Sequence, residues 1–262
     1  MRLLSTLAAL STFTLLGAAC IGTTGGELVA FDALAGGPAA HDGGAYAFET
    51  GRGYGVRLDV ATLHVGALYL NQARPTSVSR DTSCVLAGIY VGELTEGLDV
   101  DLLSGALVPF PVEGSGTSER ARTAEVWLSG GNIDAQSDPT IIARVAGEAT
   151  RGGERWPFEG SITISTNRQK PAPDPALPGS EPICKQRVVS PIPVDLELSD
   201  GGTLVLRVDP ARWFDNVDFA QLEQVGDDPP AYRFRDDDSD QPSRNLYGGV
   251  RSSVAFSVSF EN

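Results

Sequence analysis

After Met1 the chain has no methionine, and its 262 residues include only two histidines, three cysteines and two lysines. Lacking methionine, it cannot build a blue-copper centre with an axial thioether. His41 lies in a glycine-rich loop beside Asp42 and His64 within an apolar alternation, so the closely spaced His and Cys ligands of a zinc site are missing. Either histidine could serve only as a single ligand completed by carboxylates. No Gly-x-Ser-x-Gly elbow occurs. Glu113-Gly114-Ser115-Gly116-Thr117 reads as a turn between strands, without the strand-to-helix setting of a catalytic serine. Glycine-rich phosphate loops and basic clusters are also missing. A formal charge of −14 disfavours nucleic acid and anionic lipid as partners.

Nor is there an apolar run of the roughly 20 residues that a spanning helix needs. The stretch from Leu3 to Leu16 is interrupted by Ser5, Thr6, Ser11, Thr12 and Thr14, follows Arg2, and leads into Leu16-Gly17-Ala18-Ala19-Cys20. A basic start, an apolar stretch and small residues before a cut are the parts of a secretory signal. Cys20 behind those small residues resembles the lipobox of bacterial surface lipoproteins, with Gly17 where that family prefers leucine. The resemblance implies three parts: a signal peptide over 1–19, a lipid-anchored tether over 20–26 with diacylglycerol on Cys20, and a domain over 27–262. The expected location is the cell envelope, at the outer membrane. An ordinary signal peptidase could also cut here, giving a soluble periplasmic or secreted protein. Lipid on Cys20 would leave Cys84 and Cys184 as an even pair, as an oxidising compartment favours. A disulfide between them would close a loop worth about 4 to 5 kcal/mol in the chain-entropy model. The alternative is two buried free thiols.

What the chain does have is thirty glycines and seventeen prolines, spread throughout. No helical periodicity longer than about two turns survives between them, which points to an all-β fold. Ile192, Val194, Leu196 and Leu198 alternate with polar residues and proline, as do Leu204, Leu206 and Val208. With Ser199-Asp200-Gly201-Gly202 between the two runs, a hairpin is expected. A second is expected from 140–150 to 156–165 around Arg151-Gly152-Gly153-Glu154. Val254, Phe256, Val258 and Phe260 give a last strand with an inward apolar face. Further strands are expected at 27–34, 46–48, 56–70, 89–91, 107–112, 121–129 and 232–235. In the third of these, Val56, Leu58 and Val60 fall in one phase and Leu63, Val65, Ala67 and Tyr69 in the other. That asks for a bulge near Ala61 or a crossing between sheets. About ten strands in an antiparallel β-sandwich, immunoglobulin-like or jelly-roll-like, is the expected architecture. Asp209-Pro210 should start one helical turn.

Candidate sites are few. Asp236, Asp238 and Asp240 have the D-x-D-x-D spacing of a calcium loop, but Gln241 and Tyr247 stand where an EF-hand needs glycine and glutamate. The plainer reading is a solvated acidic loop paired with arginine. Calcium is the one cofactor suggested. Trp127, Trp156 and Trp213 could in principle form a sugar-stacking platform, but each also fits a core or strand-border position, where large aromatics usually go; the sugar reading requires one of them in an exposed groove. The expected function is non-enzymatic: an envelope lipoprotein acting in binding, adhesion or structure. Its expected partners are the membrane, through the lipid on Cys20, and an envelope protein or glycan. Two alternatives remain: a carbohydrate- or divalent-metal-binding module, and an extracytoplasmic hydrolase using scattered carboxylates.

Overall fold

The computed structural model describes residues 26–41, 43–73, 89–129, 138–164 and 186–262. Cys20, Cys84 and Cys184, and with them the expected lipid attachment and disulfide, lie outside these residues. In chain order the strands are β1 (Leu28–Gly36), β2 (Tyr46–Glu49), β3 (Gly55–Val65), β4 (Ala67–Asn71), β5 (Tyr90–Leu94), β6 (Leu98–Asp101), β7 (Val108–Pro109) and β8 (Gly114–Thr117). They continue with β9 (Arg120–Trp127), β10 (Asp138–Arg151), β11 (Glu154–Ile164), β12 (Val188–Glu197), β13 (Thr203–Val208), β14 (Glu223–Asp227), β15 (Pro230–Arg233) and β16 (Phe256–Glu261). One α-helix, α1 (Gln241–Val250), and 3-10 turns at Pro210–Phe214, Phe219–Gln221 and Ser253–Ala255 complete the described elements.

The fold is all-β, as its alternations and turns predict, and is built from two packed sheets with more strands than the ten expected. The larger sheet runs β12-β9-β4-β5-β8-β1-β13-β16, with β7 beside β1; the smaller runs β14-β15-β11-β10-β3-β2, with β6 beside β3. Most pairs are antiparallel, but β1 with β13 and β11 with β15 are parallel, so the sheets are mixed. One apolar cluster draws on both sheets, and its aromatic part joins Phe158, Phe214, Phe219 and Phe234 at centroid distances of 5.1 to 6.2 Å. Gly249 lets α1 close on this region, since a Cβ there would lie 2.2 Å from the Trp213 carbonyl oxygen.

The hairpin β10–β11 forms as expected, turning on Gly152 and Gly153, both at positive φ (62° and 90°). β12 and β13 also form, but they are not a hairpin. β12 pairs with β9, while β13 pairs with β1 and β16. The Asp200-Gly201-Gly202 turn bonds to β1 instead: the Ala30 N–H donates to the Asp200 carboxylate and the Gly201 N–H to the Ala30 carbonyl. β16 packs beside β12 with no ladder between them, so the sheet curls until its two ends meet. In β16 Phe256 is buried and Val258 and Phe260 partly so, whereas Val254 is exposed and Ala255 takes the inward place. The phase change in 56–70 has both expected causes. Asp59 is the extra residue of a bulge, opposite the step from Ala146 to Gly147. The chain then crosses between sheets at Gly66, after which Leu68 and Leu70, not Ala67 and Tyr69, take the core phase.

Two elements run against the sequence reading. The Gly-Ser-Gly segment is strand β8, because its glycines allow close approach: a Cβ on Gly114 would lie 2.2 Å from the Phe31 ring and one on Gly116 2.3 Å from the Val91 carbonyl. Helix α1 follows the acidic run, capped by the Asp240 carboxylate on the Ser243 N–H at 2.7 Å.

Candidate functional site

The acidic run is used for structure. Asp236 accepts from the Thr163 backbone and hydroxyl, Asp237 from Ser239, and Asp240 caps α1, while Arg244 bonds the Asp238 carbonyl. Asp236, Asp238 and Asp240 therefore do not converge as a calcium cage. Among the described residues no group of three His, Cys, Asp or Glu side chains is placed to hold a metal. His64 pairs with Asp99 at 2.8 Å on the smaller sheet, and His41 contacts the Gly44 carbonyl and the Tyr46 ring. Neither lies near Ser115, which is on the larger sheet. Trp156 and Trp213 are buried in the core, and Trp127 is half-buried on the far side of the larger sheet and lines neither groove described below, so the expected tryptophan platform for a sugar does not form.

That far side carries the most unusual chemistry. Along β9, Ala124, Val126 and Leu128 enter the core, so Thr123, Glu125 and Trp127 point away from it. Opposite them on β4 stand Asn71, across from Thr123, and Tyr69, across from Glu125. Glu125 is nevertheless fully buried, as are Asn71 and Thr123. The Asn71 amide donates to one Glu125 oxygen at 3.1 Å and the Tyr90 hydroxyl approaches the other at 3.5 Å. The Trp127 indole N–H faces the same carboxylate without reaching hydrogen-bond geometry. Among the described residues no cation pairs with it. Burial therefore pushes the Glu125 carboxyl above its ordinary 4.5, against the opposing pull of these donors. The Tyr90 phenol is pushed up to about 12, first by burial and then by the Glu125 charge. The Asn71 carbonyl oxygen and the Ser190 hydroxyl, the latter in the β12 bulge that faces β9, are buried without a hydrogen-bond partner.

Beside this cluster the same face is hollowed. A trough of about 600 Å³ runs over β1, β8 and β5, with Leu28 and Tyr90 as walls, Ala30 and Ser115 in its floor, and Glu93 and Asp200 in its lining. Ser115 pairs across to Ala30 on one side and Glu93 on the other, and Glu93 to Tyr69, so trough and cluster share one continuous row of cross-strand neighbours. Leu28 is 86 % exposed and Tyr90 44 %. The Tyr90 ring is braced edge-on by Tyr69 at 5.3 Å, and Tyr69 in turn by Trp127 at 6.2 Å.

A second groove of about 780 Å³ lies on the smaller sheet and includes Arg144, Arg233 and Arg235. Its charges largely neutralise one another: Arg235 forks onto Glu223 at 2.7 and 3.0 Å, and Arg233 meets Glu159 at 3.5 Å. The larger-sheet face differs around the cluster and trough: Arg120 and Arg122 pair with Asp195 at its β9–β12 end, whereas among the described residues no basic side chain is paired with Glu125, Glu93 or Asp200. Of the residues of this face, sequence reasoning singled out Trp127 as a candidate platform and Ser115 only as part of a supposed turn. The signal for Glu125 was present, since it is the one acid in an otherwise apolar run from Ala124 to Leu128. Tyr69 and Tyr90 join it only through pairing. No helix among the described residues is long and apolar enough to cross a membrane. No known family, curated protein or solved structure matches the chain.

Proposed function

We propose that the protein is a non-enzymatic, exported binding protein, tethered to the cell envelope through lipid on Cys20, that engages its ligand with the outer face of the larger sheet. The observation that carries this reading is Glu125, a carboxylate kept fully buried on the side of the sheet away from the core with neutral donors and, among the described residues, no paired cation. Such a group opposes folding, and proteins retain destabilising groups mainly where function uses them. The neighbouring trough supplies an exposed ring and acceptors, and among the described residues includes no histidine and no nucleophile held by a base, which favours binding over catalysis. The lipobox-like signal supports the tether and the pairing of Cys84 with Cys184.

Two measurements test this. A clickable fatty acid should label the wild type and fail to label Cys20→Ser; equal labelling of both overturns the tether. Purified protein should co-sediment with isolated envelopes, and Tyr90→Ala should lose that association. Envelope binding that ignores Tyr90→Ala overturns the assignment to this face.

A further inference from the structure

We propose that the trough between Leu28 and Tyr90 is a subsite for a neutral, polyhydroxylated ligand, namely a glycan segment of one or two sugar rings. This deepens the binding function proposed above and rests on it. The size fits, because about 600 Å³ lies inside the range of ordinary small-ligand sites, roughly 300 to 1,000 Å³. The chemistry is two-sided in the way a sugar is. A pyranose offers a C–H face to an aromatic or aliphatic wall and a rim of hydroxyls to planar acceptors. Tyr90 and Leu28 are such walls, and they are the exposed apolar side chains that line this trough. Glu93 and the second oxygen of Asp200 are acceptors at its rim, the first Asp200 oxygen being held by the Ala30 N–H at 3.0 Å. Ser115 and Thr117 add hydroxyls that both donate and accept.

Charge narrows the class. Among the described residues no arginine or lysine lines the trough, while Glu93 and Asp200 do, with Glu125 behind Tyr90. Phosphorylated or uronate-bearing glycans would meet only repulsion there. The site is also pre-organised. Its floor is hydrogen-bonded sheet, and the Tyr90 ring is fixed by Tyr69 at its edge and by its hydroxyl to Glu125. Glu125 is in this view a positioning residue for Tyr90, acting without touching the ligand.

The test is affinity electrophoresis of the full chain through gels containing a neutral polysaccharide such as a β-glucan or galactomannan, a polyuronate, or chitosan. Retardation by at least one neutral polymer and none by the polyuronate is expected. Tyr90→Ala should weaken retardation at least 10-fold, Tyr90→Phe should keep most of it, and Glu93→Gln should weaken it several-fold. Ser115→Arg, which fills the trough from an exposed floor position, gives the same reading should Tyr90→Ala fail to fold. Absence of retardation by every neutral polymer overturns the glycan assignment, as does retardation by chitosan alone or retardation unchanged in Ser115→Arg. Envelope co-sedimentation separates the two claims. If Tyr90→Ala abolishes it but no neutral polysaccharide competes, the face binds something else and only the glycan inference falls. If wild type never co-sediments, the binding function falls with it.

Discussion

Asp218 and Glu125 are both carboxylates shielded from water, yet the protein treats them in opposite ways. Asp218, just before the Phe219–Gln221 turn, accepts from the Tyr54 hydroxyl and from the Gln221 amide at 2.9 Å. Arg52 stands 3.3 Å away and Arg151 4.0 Å. The Tyr54 hydrogen bond above all, with Gln221 and the two arginines, holds its carboxyl below the ordinary 3.8. Glu125 has one amide, one long phenol contact and, among the described residues, no cation, and burial holds it high. The difference shows the two causes in competition: at Asp218 the partners outweigh burial, and at the deeper Glu125 burial outweighs the partners. An ionised Asp218 supports the fold, whereas an ionised Glu125 opposes it.

The comparison is broken most easily at Asp218. Replacing it with Ala should cost about 2 to 3 kcal/mol by urea denaturation, because it strands the Tyr54 hydroxyl while Arg151 still lies 3.9 Å over that ring. Glu125→Gln should do the reverse and raise stability at neutral pH by roughly 1 kcal/mol, since a neutral amide accepts from Asn71 without the cost of a buried charge. Loss of stability in both variants at neutral pH would end the contrast.

Acid sharpens it. Glu125 holds its proton more tightly when folded, so its favourable share is present below the ordinary 4.5 and is lost as pH rises through the raised folded value. Asp218 contributes fully above the ordinary 3.8, and that share is lost as pH falls through its lowered folded value. The Glu125→Gln advantage should therefore grow from acid toward neutral pH, and the Asp218→Ala deficit should shrink in acid. Paired denaturation curves between about pH 2 and pH 8 measure both slopes. The smallest effect belongs to an exposed pair. Arg155 forks onto Glu148 at 2.7 and 2.9 Å in open solvent, and Arg155→Ala should move stability by less than about 0.5 kcal/mol.

Local order was legible and distant order was not. The β10–β11 hairpin follows from its Gly-Gly turn, and the capped Pro210–Phe214 turn from Asp209-Pro210. The pairing of β12 and β13 could not be read, because the strand between them comes some fifty residues later in the chain. β8 was hidden by glycines that look like a turn but serve close packing. Helix α1 was hidden by its own Gly248-Gly249 and by an acidic run whose Asp240 is a cap rather than a ligand. In the candidate site Trp127 was visible as a residue type. Glu125 shares its face two residues away on the same strand, but the relation of both to Tyr69 and Tyr90 exists only across three strands, which no spacing along the chain encodes.

The placement of β16 between β13 and β12 also has a temporal side. A polypeptide is made and threaded from its N-terminus, so β1 emerges long before Thr203, which pairs beside its Asp32, and longer still before Phe256 reaches Val208. Until then the larger sheet has no closing strand, and its longest-range ladders cannot begin. Such topologies assemble slowly and late. The nascent chain would therefore hold the larger sheet open through most of its own synthesis, while the smaller sheet, whose β2, β3, β6, β10 and β11 all lie before residue 165, can already pair.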